Sequence, residues 1–136
     1  MGDRGNIVVR DYDAVEAGQS LADVWLYTHW AGGGMKRILQ RALARKARWY
    51  DPPYLARIIF CEMAKDDIDS ETGFGISTSM CDNEHDVLLV ESGKERVVLL
   101  GCDWADQNSP LPVDVSPGIV KVWTFDEFIA ETFKDE

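Results

Sequence analysis

The segment from residue 86 to residue 100 constrains the fold of this chain more than any other. It contains two apolar runs, VLLV and VVLL, on either side of Ser92, Gly93, Lys94 and Glu95. Two runs of branched apolar residues joined by a short polar segment with a glycine predict a β-hairpin. The chain is therefore expected to contain an antiparallel sheet.

Four further segments have the composition of β-strands: residues 6–10, 24–30, 73–79 and 119–125. The first two can pair as a hairpin across a long polar loop. Because side chains alternate along a strand, Tyr27 and His29 are expected to lie on the same face of the second one. Residues 101–118 hold three of the five prolines and are expected to form a long irregular connection.

Three segments have the pattern of helices. In residues 35–48 apolar residues recur at helical spacing, and residues 54–64 are apolar on nearly all sides, which predicts the most buried helix of the protein. Asp51-Pro52-Pro53 separates the two helices, since proline is accepted in a first helical turn. Thr124 and Glu127 have capping-box spacing and open a terminal helix, with Phe125, Phe128, Ile129 and Phe133 facing inward.

The order of these elements predicts an α+β fold. We expect residues 1–136 to form a single domain with a mostly antiparallel sheet, two consecutive helices inserted after the second strand, and a C-terminal helix. The helices should cover one face of the sheet. A length of 136 residues suits one hydrophobic core.

The chain is expected to be cytoplasmic and to lack a membrane span. Its first residues have no apolar core typical of a secretion signal, and no apolar run approaches the ~20 residues that cross a bilayer. Its three cysteines are odd in number and widely spaced, which is typical of reduced thiols rather than of a disulfide framework.

Charge is distributed unevenly along the chain. The formal net charge is -10, yet all 24 acidic residues lie outside residues 24–50. That segment holds six bases: Lys36, Arg37, Arg41, Arg45, Lys46 and Arg48. The overall acidity argues against general nucleic-acid binding, because contacts to phosphates need a positive surface. The basic segment leaves local binding of an anion open.

The basic segment also contains the best candidate binding surface. Helical spacing would place Arg37, Arg41, Arg45 and Arg48 on one narrow stripe, where guanidinium groups can bind carboxylates or phosphates. A glycine run that includes Gly33 and Gly34 precedes this helix, and free N–H groups at a helix N-terminus favour an anion. The alternatives are a solvated stripe paired with the protein's own acids and a run of glycines that only turns the chain.

Other motifs indicate little chemistry. Tyr27 and His29 could form a ligand site or a general base, although most such histidines are simply packed and hydrogen-bonded. Cys81 and His85 have the spacing of one zinc-ligand pair, but no second pair is visible, so no metal is expected. No catalytic constellation and no cofactor motif is found.

The segments GNI (5–7), LYTHW (26–30), RW (48–49), YLARIIF (54–60) and TGFGIS (72–77) resemble a family of small uncharacterised proteins of phages and bacterial genomes. This resemblance covers roughly the first 100 residues. It implies a phage or prophage context and assigns no chemistry to any residue.

These observations support three functional hypotheses. The first is a small non-enzymatic binding protein of phage type that uses its basic helix face for an anionic partner, such as a host protein. The second is an acidic inhibitor that imitates nucleic acid and occupies a host defence protein. The third is a small enzyme built around Tyr27 and His29. The first hypothesis requires that the arginines be exposed rather than paired internally.

Overall fold

The computed structural model describes residues 2–11 and 23–134. One six-stranded sheet has the order β3-β2-β1-β4-β5-β6. The strands are β1 (Gly5–Arg10), β2 (Asp23–Thr28), β3 (Phe74–Ser77), β4 (Val87–Glu91), β5 (Arg96–Leu100) and β6 (Ile119–Thr124). Only β1 and β4 are parallel, and the other four neighbouring pairs are antiparallel. The prediction of an α+β fold with a mostly antiparallel sheet is confirmed.

The predicted turns and caps are present. The hairpin between β4 and β5 turns through a short 3-10 segment, Ser92–Lys94, followed by Glu95 in the left-handed conformation. Within the described residues, four α-helices accompany the sheet: α1 (Met35–Leu43), α2 (Pro52–Ala64), α3 (Cys102–Gln107) and α4 (Phe125–Ala130). The capping box at the start of α4 is formed, because the Thr124 side chain accepts a bond from the Glu127 amide and Glu127 accepts one from the Thr124 amide.

The first face of the sheet packs against α1, α2 and α4. Side chains of alternate strand residues, such as Ile7, Leu26 and Leu88, meet Leu39 and Ile59 of the helices in one continuous cluster. Three aromatic residues of the C-terminal part extend this cluster, and the Trp123 and Phe128 rings meet edge to face at 5.0 Å between centroids. This is the core that the apolar helix stripes predict.

The second face of the sheet is also covered, which the sequence did not predict. Residues 101–118 are not wholly irregular, because they contain α3 and fold back over the sheet. Ala105, Leu111 and Val115 pack there against strand residues that include Val8 and Trp25. Central strands buried on both faces read as continuous apolar runs, and this explains why β4 and β5 show no polar alternation.

Arg10 attaches this second layer to the sheet. Its guanidinium is 2% exposed and forms a two-point ion pair with Asp23, with N–O distances of 2.8 and 3.0 Å. The remaining N–H groups donate to the backbone carbonyls of Leu111, Pro112 and Val113. One buried side chain therefore joins β1, β2 and the connection that covers the second face.

Two helix predictions need correction. The first helix ends at Leu43 rather than at residue 48, because Lys46 and Arg48 have positive φ angles of 52° and 59° and cannot continue an α-helix. The second helix is not the most buried one, since six of its 13 residues are buried against five of nine in α1. Its first turns project Tyr54 and Arg57 into solvent.

Candidate functional site

The glycine junction before α1 already holds an anion that belongs to the chain. Gly32–Gly34 form a 3-10 turn. The Gly33 amide donates to the Asp3 carboxylate at 2.9 Å, and the Gly32 amide donates to the Asp3 carbonyl at 2.8 Å. The Gly34 amide donates to the Ala31 carbonyl at 3.0 Å. The prediction that Gly33 and Gly34 receive an external ligand is therefore wrong, since their N–H groups have internal acceptors.

Asp3 also binds His85, which the sequence analysis considered only as a possible zinc ligand. One carboxylate oxygen contacts His85 Nε2 and the other accepts the Gly33 amide. The hydrogen bond to His85, followed by the Gly33 amide, lowers the pKa of Asp3. Glycine is required at position 32 because a β-carbon there would lie 2.5 Å from the His85 ring.

A polar cavity of about 250 Å³ lies beside this Asp3–His85 pair. It is lined by Gly32, Gly33, Met35, Lys36, Glu84, His85, Asp86 and Leu88. A carboxylate that orients an imidazole is one half of an acid–base site, but nucleophilic catalysis also needs a hydroxyl or thiol within reach. The lining contains no serine, threonine or cysteine. The arrangement fixes residues 2–4 against the start of α1.

Tyr27 and His29 do come together, as the predicted strand over residues 24–30 implies, although β2 itself ends at Thr28. The Tyr27 hydroxyl lies 3.1 Å from His29 Nδ1, and the His29 ring meets Trp30 edge to face at 4.7 Å. Burial, which outweighs the effect of the nearby Arg4 charge, raises the pKa of Tyr27. These residues border a second cavity of about 480 Å³, which Thr72, Gly73 and Phe74 complete. This cavity lies between the end of β2 and the start of β3.

The four arginines do not form one helix stripe. Arg37 and Arg41 lie on α1, whereas Arg45 and Arg48 follow its last residue. Arg41 and Arg45 approach the Glu62 carboxylate of α2 at 3.8 and 3.4 Å, and Lys65 reaches it at 3.0 Å. For Arg41 and Arg45 the structure therefore agrees with the alternative of pairing with the protein's own acids, because a buried acid of the neighbouring helix collects these cations. The expected binding site of four unpaired arginines on one helix face, joined to the glycine junction, is not formed.

Arg48 belongs to a separate local arrangement. Its guanidinium lies 4.0 Å from the Asp51 carboxylate, and its central carbon is 5.0 Å from the centroid of the Tyr54 ring. The glycine turn and the Glu62 cluster lie at opposite ends of α1, about 12 Å apart along the helix axis. The glycine turn, the Arg41–Arg45 pair and Arg48 therefore lie in three places rather than on one track. Tyr27 and His29 lie in a fourth.

Glu62 is the residue that sequence reasoning missed. Its side chain is 6% exposed, and although burial raises its pKa, the hydrogen bond from Lys65 and the charges of Lys65, Arg45 and Arg41 outweigh burial and lower it. A signal was present, because a single acid in an otherwise apolar helix has to find cations if it is buried. The basic segment before it supplies them.

Cys81 and His85 do not belong to any group of three or more possible metal ligands among the described residues. In the part of the chain that the structure describes, the one group that brings three possible ligand atoms within 4.8 Å of one another is Cys102, Asp103 and Asp106. Burial and the nearby Asp106 raise the pKa of the Cys102 thiol, which disfavours the thiolate that metals bind. Exposed carboxylates beside a protonated thiol make a poor metal site.

Comparisons with protein-family models, with curated proteins and with solved structures give no match to this chain. None of the helices in the described ranges is long and apolar enough to cross a membrane.

Proposed function

We propose that this chain is a binding protein that holds an acidic group of a partner protein at its basic face. We define the basic face as Arg41, Arg45 and Lys65 around Glu62, together with the separate Arg48–Tyr54 pair near the start of α2, about 12 Å away along the helix axis. The observation that supports this proposal is the excess of charge at Glu62, where three cations share one carboxylate.

This face differs from the unpaired arginine surface that the first hypothesis required, because Arg41 and Arg45 are paired internally and also half exposed. The pairing does not neutralise the face. A single carboxylate compensates one of the three positive charges around it, so a formal charge of two remains. The side chains of Arg41, Arg45 and Lys65 are each about half exposed, whereas Glu62 is buried beneath them. The residual charge is therefore presented to solvent.

Glu62 also reduces the cost of binding. A long basic side chain loses rotamer freedom when it binds a partner, at about 0.5–1.5 kcal/mol for each immobilised chain. Here the carboxylate already restricts three such chains toward one point. A guanidinium that uses one N–H group toward Glu62 retains further donors for a second carboxylate.

Two exposed tyrosines make the face suitable for a protein partner. Tyr50 and Tyr54 are 72% and 54% exposed, and Tyr54 carries the Arg48 guanidinium over its ring. Tyrosine and arginine are enriched among the residues that dominate the free energy of protein–protein binding. Tyr54 lies eight residues before Glu62 on α2, about 12 Å along the helix axis.

The test uses a fluorescein-labelled peptide of alternating Glu and Gly as a model of an acidic partner surface. We expect saturable binding by fluorescence anisotropy that weakens as salt rises, because exposed charges are screened over ~10 Å at 0.1 M ionic strength. The double variant Arg41→Gln/Arg45→Gln should weaken binding at least tenfold. Lys65 remains to pair with Glu62, so the variant should still fold.

The control is Lys94→Gln/Lys134→Gln, which changes the net charge equally but outside the basic face. It should bind as the unmodified chain does. If both double variants weaken binding equally, the effect is one of net charge and the proposal is contradicted. If Arg41→Gln/Arg45→Gln lowers the melting temperature and leaves peptide affinity unchanged, these arginines act only as internal partners of Glu62.

A further inference from the structure

We propose that the cavity between the ends of β2 and β3 binds the guanidinium of an arginine in a basic peptide segment. We call this cavity the aromatic pocket and define it by Tyr27, His29, Trp30 and Phe74, with Asp67 at its edge. It has a volume of about 480 Å³ and lies at the end of the sheet opposite to Arg10. The inference does not depend on the basic face.

Gly73 brings the aromatic and the acidic component together. Its φ angle is +102°, a conformation that residues with a side chain rarely adopt. A β-carbon on Gly73 would lie 3.2 Å from the six-membered ring of Trp30 and 3.3 Å from Asp67 Oδ2. The indole and the carboxylate therefore border the same small space, which the missing side chain leaves open.

Trp30 offers its ring to a ligand. The residue is 58% exposed, although tryptophan is usually largely buried. The His29 ring supports it from one side, edge to face at 4.7 Å. His29 is itself held by the Tyr27 hydroxyl and by a hydrogen bond that its backbone N–H donates to the Gly73 carbonyl. The indole is thus positioned by its neighbours while much of its surface remains accessible.

The charge beside the pocket is complementary to a cation. The segment that leads into it carries Asp66, Asp67, Asp69 and Glu71, all exposed. None of the salt bridges found between the described residues involves these four carboxylates. A cation over an aromatic ring gains further from a nearby carboxylate, and tryptophan is the best ring for this purpose.

Arginine fits this combination better than lysine does. Its guanidinium is planar and weakly hydrated, so it can stack on an exposed indole, and its paired donors match the two oxygens of Asp67. The lysine ammonium is compact and strongly hydrated, and it gains less from an open pocket. The occupant that we assign is therefore an arginine side chain presented by a flexible basic segment of a partner.

The experiment titrates ¹⁵N-labelled protein with an acetylated, amidated peptide Gly-Arg-Gly-Arg-Gly. The indole N–H signal of Trp30, assigned with a Trp30→Phe variant, should shift saturably. The same peptide with lysine should bind at least tenfold more weakly. The peptide with citrulline, which keeps the shape of arginine and loses its charge, should produce no saturable shift.

Two variants and a control locate the site. Trp30→Leu and Asp67→Asn should each weaken arginine-peptide binding at least tenfold, followed through the His29 and Gly73 amide signals. Tyr50→Ala, which removes an exposed aromatic ring from another surface, should not change it. The proposal is overturned if citrulline or lysine peptides bind as tightly as arginine, or if either pocket variant retains full affinity in a protein whose remaining amide spectrum is unchanged.

Discussion

At the scale of single residues, buried charges determine how the parts of this molecule are joined. Arg10 and Glu62 are both nearly inaccessible, but their partners differ. Arg10 is surrounded by one carboxylate and three backbone carbonyls, which are themselves fixed in the fold. Glu62 is surrounded by three long cationic chains whose outer parts reach solvent. Replacement of Arg10 should therefore lower the free energy of unfolding more than replacement of Glu62.

Replacement of Arg10 with Met should lower the free energy of unfolding by about 3–5 kcal/mol, because the buried Asp23 carboxylate would lose its charge partner. Urea denaturation of both proteins measures this difference. Arg4→Met is the matched control, since the Arg4 pairs with Asp82 and Glu84 are solvent-exposed and should contribute at most about 1 kcal/mol. Equal losses in the two variants would show that Arg10 does not hold the second layer.

Glu62 should make the free energy of unfolding depend on pH in the acidic range. Its pKa in the folded protein is below the ordinary value of 4.5, so its charged form stabilises the fold above that pH and this contribution is lost as the pH falls through the folded pKa. Glu62→Gln should cost about 1–2 kcal/mol at pH 7. The difference between the two proteins should shrink in denaturant melts below about pH 4.5. A difference that is constant from pH 7 to pH 3 would contradict this assignment.

At the scale of elements, the two consecutive helices show where sequence patterns are sufficient. The apolar stripe of α1 predicted its buried residues, because a stripe at helical spacing has one face to bury. In α2 nearly every residue is apolar, so the pattern does not predict which side of the helix is buried. The structure buries Ile59 completely and leaves Ile58 half-buried, and this distinction depends on the neighbouring sheet rather than on the helix itself.

Ile59→Ala should therefore cost roughly 2–5 kcal/mol of unfolding free energy, as is usual for a large-to-small change in a packed core. Ile58→Ala should cost clearly less, since part of that side chain is already in contact with water. The apolar sequence of α2 alone does not distinguish the two positions. Urea melts of the two variants compare them directly, and a larger loss for Ile58→Ala would place the core on the other side of α2.

The candidate site was less predictable than the fold for a physical reason. Strands and caps depend on residues close together in the sequence, as at Thr124 and Glu127. The contacts that decide the site join distant residues: Asp3 meets Gly33 and His85, and Glu62 meets Arg41. Spacing along the chain carries no information about such pairs. Tyr27 and His29 were placed together because residues two apart on a predicted strand share one face.

At the scale of the whole molecule, the sheet is covered on both faces by unrelated parts of the chain. The helices α1, α2 and α4 cover one face, and residues 101–118 cover the other. The two apolar clusters share no residue, since alternate side chains of each strand enter opposite clusters. Their contributions to stability should therefore be nearly independent.

A double-mutant cycle tests this independence. Leu111→Ala in the second layer should cost roughly 2–4 kcal/mol, and Ile59→Ala lies in the first layer. The double variant should show the sum of the two losses to within about 0.5 kcal/mol, because distant sites without shared partners add. A coupling energy well above 1 kcal/mol would mean that the sheet transmits strain between its faces.

The contact between Asp3 and the glycine turn has a consequence for ligand competition. Asp3 lies two residues before β1, so its carboxylate stays close to the Gly33 amide as if it were a solute at high local concentration. For short tethers this effective concentration is on the order of millimolar or more. A free phosphate or carboxylate would have to exceed that value to displace Asp3. Asp3 thus occupies the anion-binding position of the glycine turn. An external anion would bind there only after substitution of Asp3.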